Sequence, residues 1–201
     1  MRVRRRTIFL NILKGADSSV NSKNIDFSEL YENLKDIIKE CQTKIGYTDN
    51  ELNFYYPIKS LNRFLDSDLT ADELKEVLPE FSKYAEDTLG TLKFRLEGER
   101  FRFIIPREGS AYVHENVPDS PFLKEFIEET VRPGCDIDSV LAIFRKYSDK
   151  VICKKIENDE FEYLVYFEDG QPDSYRYCLE FEFGRAVYHR FTVKEYDSFG
   201  F

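Results

Sequence analysis

From Phe27 the apolar positions recur three and four residues apart, through Leu30, Leu34, Ile37, Ile38, Cys41 and Ile45. That is the period of an amphipathic helix with one face turned inward. Asp26 with Glu29 three residues on supplies a capping signal, and Gly46 supplies the stop. Tyr55-Tyr56 before Pro57 is pushed into extended backbone, and Pro57 opens a short helix carrying Ile58, Leu61, Phe64 and Leu65. A second box, Thr70 to Glu73, starts a helix with Leu74, Val77, Leu78, Phe81, Tyr84 and Ala85 inward, kinked or split at Pro79 and closed by Gly90.

The period then changes from 3.6 to 2. Leu92, Phe94 and Leu96 alternate with Lys93 and Arg95, a Gly98-Glu99 turn reverses the chain, and Phe101, Phe103 and Ile105 return. Residues 106–118 have no clear period and are expected to form a loop of a length that is often functional. Ser120-Pro121 and Asp136 each begin a helix, separated by Pro133-Gly134. Strands are expected over Val151–Ile156, Phe161–Glu168, Tyr175–Phe183 and Ala186–Lys194, with the last turn at Gly184-Arg185. Such short connections force antiparallel pairing. The fold class is α+β: about five helices on a mainly antiparallel sheet, an N-terminal-half hairpin plus a C-terminal strand meander. Residues 1–25 read as a basic arm and polar linker without stable structure, and residues 26–201 as a single α+β domain.

Lys44-Ile45-Gly46-Tyr47, Tyr55-Tyr56-Pro57 and Ser60-Leu61-Asn62-Arg63-Phe64 resemble a small family of bacterial domains of unknown function, over about Asp26 to the C-terminus. The resemblance implies a bacterial, soluble protein and brings no activity, cofactor or site residue with it.

Composition narrows the choice of function. The 201 residues carry a net charge of −9, and because Arg2, Arg4, Arg5, Arg6 and Lys14 sit in the first fifteen, the remainder carries −14. Such a surface disfavours nucleic acid. Seven acidic residues and no basic one lie between Glu157 and Asp173. Cys41, Cys135, Cys153 and Cys178 are widely spaced, which suits reduced, structural thiols in a cytoplasm better than a metal or redox motif. The apolar run after Arg6 is too short for a signal peptide, and no run is long enough for a membrane span. No cofactor motif or metal-ligand spacing is present, so neither a cofactor nor a metal is expected.

Two groups could carry chemistry. With a Gly184-Arg185 turn, Glu180 would lie directly opposite His189 and Glu182 diagonally, a carboxylate–imidazole pair of the kind used in acid–base catalysis. A cross-strand ion pair would look the same. Arg95 across from Arg102, with Arg107 and His114 of the following loop, could hold a phosphate-bearing or other small ligand, unless nearby carboxylates satisfy the arginines. Tyr163, Tyr166, Tyr175, Tyr177 and Tyr188 beside the acidic run suggest a sheet surface for a protein partner, preferably a basic one. The leading expectation is therefore a non-catalytic protein-binding module of the bacterial cytoplasm. The alternative is a small-molecule or phosphate-ligand protein built on Arg95, Arg102, Arg107 and His114, with Glu180 and His189 as the pair for hydrolytic chemistry.

Overall fold

The computed structural model describes residues 25–156 and 160–199. The basic arm and most of the linker lie outside the described residues, as do Glu157 and Asp159 of the acidic run.

Helix α1 (Ser28–Ile45) begins after Phe27, with the Asp26 carboxylate accepting from the Ser28 N–H at 2.9 Å, and stops at Gly46, whose φ is +80°. Strand β1 (Leu52–Pro57) leads into α2 (Ile58–Phe64). Helix α3 (Ala71–Leu89) carries the full capping box, with the Thr70 hydroxyl and the Glu73 carboxylate satisfying each other's backbone N–H groups. It passes through Pro79 as one helix rather than two.

Strands β2 (Lys93–Glu97) and β3 (Arg100–Ile105) form the expected hairpin, and β1 pairs with the other side of β3 to give a three-stranded sheet ordered β1-β3-β2. One core packs α1, α2 and α3 against this sheet through Leu34, Ile38, Phe81 and Phe103.

Residues 107–116 are a correction. They form helix α4 (Arg107–Asn116), not a loop. Gly109 hides the helical signal, and its missing side chain is what lets α4 approach the Leu89 carbonyl at the end of α3. Helices α5 (Pro121–Thr130) and α6 (Ile137–Tyr147) follow, capped by Ser120 and Asp136.

Strands β4 (Val151–Lys155), β5 (Tyr163–Phe167), β6 (Arg176–Glu182) and β7 (Arg185–Phe191) run in sequence order through a second antiparallel sheet. One face packs Val165, Phe167, Tyr177 and Leu179 onto Phe122, Phe126 and Phe144 of α5 and α6. The other face carries a small cluster of Leu164, Cys178 and Phe191.

The last expected strand is too long. β7 ends at Phe191, and α7 (Val193–Phe199) starts after Thr192, whose hydroxyl and backbone N–H both bond the Glu195 carboxylate at 3.1 Å. The described residues thus hold seven helices and two antiparallel sheets, an α+β architecture. None of these helices is long and apolar enough to cross a membrane.

Candidate functional site

β1 is an edge strand of the first sheet and β7 an edge strand of the second. A cavity of about 480 Å³ draws its walls from both: Tyr55, Tyr56 and Pro57 from one side, His189, Arg190 and Phe191 from the other. Helix α1 adds Asn33, Ile37 and Glu40, and the segment entering β5 adds Glu160 and Phe161. Ser60, Arg100 and Glu195 complete the polar lining.

Arg190 is the best-anchored of these groups. It stands opposite Tyr177, and its buried guanidinium donates to Glu40 Oε2 at 2.7 Å and Asp173 Oδ2 at 3.1 Å. It also lies over the Tyr175 ring, 4.1 Å from the centroid. Three tyrosine hydroxyls close the network, Tyr175 on Asp36, Tyr177 on Asp173 and Tyr188 on Glu40, each at 2.8 Å. Arg190 Nε is buried and has no hydrogen-bond partner among the described residues. A buried donor left unmatched is costly, and in native structures it usually marks a water, a ligand or a functional strain.

The carboxyls around the cavity are held in different states. Burial pushes Glu40 up, but Arg190 and Lys44 pull it further down, leaving it below its ordinary value. Burial raises Asp36 and Glu195, and their hydrogen bonds and nearby cations offset this only in part. Burial of part of the His189 ring holds its imidazole below the usual histidine value, against the pull of Glu40.

A family model described as a domain of unknown function from an E. rectale gene (DUF3877) matches residues 27–200. The chain belongs to that family. This agrees with the resemblance carried by the strings around Gly46, Pro57 and Leu61. No curated protein and no solved structure matches the DUF3877 chain.

The residues singled out by sequence are distributed differently in the DUF3877 fold. The β6–β7 turn is centred on Phe183-Gly184, not Gly184-Arg185, so Cys178 stands opposite His189 and Glu180 opposite Val187. Moving the turn by one residue shifts each partner by two, which keeps the faces and breaks the expected pair. Glu180 is only a diagonal neighbour of His189, and the carboxylates that act on the imidazole are Glu40 and Glu160. Among the described residues no group of three His, Cys, Asp or Glu side chains is placed to hold a metal.

Arg95 does stand across from Arg102, as the Gly98-Glu99 turn requires. Arg102, however, donates to Asn53 at 2.9 Å and meets Glu97 at 3.4 Å, while Arg95 is exposed. Arg107 pairs with Asp49. His114 stacks on Tyr47 with ring centroids 4.3 Å apart, beside a smaller cavity reached by Lys39 and Gln42. None of the three arginines joins His114 in lining that cavity.

The tyrosines also differ from expectation. Tyr177 is fully buried, and Tyr175 and Tyr188 spend their hydroxyls on Asp36 and Glu40. They are the walls of an internal network, not a surface patch. Sequence reading passed over Arg190, Glu40, Tyr55 and Glu195. The Thr192-to-Glu195 capping box was a usable signal for Glu195, whereas nothing local joins Glu40 to Arg190.

Proposed function

We propose that this protein is a small-molecule-binding domain whose ligand sits in the cavity between β1 and β7. The size of the cavity is that of a metabolite site, and its setting between two separately packed cores is where such sites concentrate. The observation that carries the reading is the exposed guanidinium of Arg100, which has no ion-pair partner among the described residues, at a cavity otherwise walled by Tyr55, Tyr56, Tyr175, Phe161 and Phe191. Arginine is a donor only, so the ligand must present an acceptor oxygen. The aromatic walls favour a planar, largely apolar body. A small aromatic or heterocyclic carboxylate satisfies both.

The test is a thermal-shift and calorimetric screen of aromatic carboxylates against the wild type, Tyr55→Ala and Arg100→Ala. Tyr55 and Arg100 are exposed, so their replacement should leave folding intact. A compound that stabilises the wild type and loses affinity in both variants supports the cavity. A screen without a binder, or a binder indifferent to both changes, counts against it.

A second reading, a protein partner, keeps one specific observation. Phe183 at the β6–β7 tip is fully exposed, with Val187 of the same strand pair also open. A partner offering an apolar pocket would take this ring, and Phe183→Ala would then abolish capture while leaving stability unchanged or improved.

A further inference from the structure

The outer face of the second sheet carries a different cavity, of about 530 Å³. It is lined by Lys154, Lys155, Ile156, Leu164, Tyr166 and Arg176, with Tyr196 and Asp197 of α7 at its rim. Lys154 is the register partner of Leu164, which in turn pairs with Cys178. Arg176 lies two residues from Cys178, so it and Lys154 project from the same face.

None of these three cations has an ion-pair partner among the described residues. In a chain of net charge −9, three cations gathered around one concavity make it a locally basic exception. Arg176 is also pre-oriented. Its guanidinium carbon sits over the Tyr166 ring, 3.8 Å from the centroid, a cation–π contact that holds the group in place.

We propose that this cavity is an anion site for a phosphate monoester, held by Lys154 and Arg176, with Lys155 at the end of β4 adding its charge at the edge. Three cations less the Asp197 carboxylate leave two positive charges, the complement of a monoester carrying about −1.5 to −2 near neutral pH. Leu164 and Ile156 offer an apolar floor and Tyr196 a ring for the organic part. The site is independent of the β1–β7 cavity and would survive the failure of that reading.

Titration calorimetry with phenyl phosphate and with inorganic phosphate tests it on the full chain. The wild type should bind phenyl phosphate more tightly than inorganic phosphate, with an affinity that falls as salt is added. Lys154→Glu should weaken binding by about tenfold or more, the range expected for losing a charge-assisted bond. Lys154→Arg should keep it. Lys93→Glu makes the same change of net charge on the other sheet and should have no effect. Absence of phosphate binding at millimolar concentration, or equal weakening by Lys93→Glu and Lys154→Glu, overturns the proposal. Circular dichroism on each variant separates lost binding from lost fold.

Discussion

Arg190 on β7 and Glu40 on α1, 150 positions apart in the chain, meet at 2.7 Å with both side chains almost fully buried. With Asp173 on the guanidinium's other nitrogen, this contact ties the first helix to the last strand. A buried ion pair contributes little net stability when complete, because desolvation offsets the attraction. Breaking it is another matter.

Replacing Arg190 by Met leaves Asp173 buried without its cation and Glu40 with Lys44 alone. The expected loss is about 3–5 kcal/mol. The triple change of Arg190→Met, Glu40→Gln and Asp173→Asn removes the stranded charges and should recover much of that loss. Urea denaturation of the two variants checks it, and a triple variant no more stable than the single one would show that the cost lies in packing.

The two classes of carboxyl give opposite pH signatures. Glu40 has its folded pKa below the ordinary 4.5, so its contribution is complete above that value and is lost as pH falls through the folded pKa. Glu195 has its folded pKa above 4.5. Its ionised form therefore costs stability at neutral pH, and the cost fades as pH falls through the raised value and is gone below 4.5. Glu195→Gln keeps an acceptor for Thr192 and should be more stable than wild type at pH 7, with the advantage vanishing in acid. Melting temperatures measured from pH 7 down to pH 4 decide it, and a constant offset across the range would exclude titration of Glu195 as the cause.

What the sequence made legible was local. Helix caps at Thr70, Ser120 and Asp136 and the stop at Gly90 stand where the residue types place them, because each is satisfied within four residues. The missed helices have local reasons as well. In α4 only Val113 and the small residues Gly109 and Ser110 are buried, too little apolar pattern to show a period. In α7 the box at Thr192 was hidden by the strand-like run preceding it. The cavity was not legible at all, since it depends on which edge strands lie beside α1, and no spacing in the chain encodes that juxtaposition.

Gly109 and Gly98 separate two uses of glycine. A Cβ on Gly109 would fall on the Leu89 carbonyl, whereas one on Gly98 would meet nothing, though its φ is +63°. Gly109→Ala should force α4 off α3 at about 2–3 kcal/mol. Gly98→Ala should cost about 1 kcal/mol through left-handed backbone alone. Chemical denaturation ranks them, and equal costs would refute close packing as the reason for Gly109.

Phe183 explains both a misread register and an avoidable cost. It precedes Gly184 at the centre of the β6–β7 turn with φ of +51°, and Gly184 has +69°. Positive φ at both central positions is the type I′ geometry, for which Asn-Gly is favoured. A phenylalanine there is unexpected, so the residue types point to the more ordinary Gly184-Arg185 turn and with it to a Glu180–His189 pair. Its ring gains nothing in return, since it is fully exposed. Phe183→Asn should therefore stabilise the chain by about 0.5–1 kcal/mol by relieving the left-handed backbone. The hairpin register should stay as it is, with amide proximities between Cys178 and His189 in a nuclear magnetic resonance spectrum reporting it. If the variant is instead less stable, the ring has a packing role that its exposure conceals. If it is more stable but no longer captures a partner, the strain at Phe183 is the cost of presenting that ring to another protein.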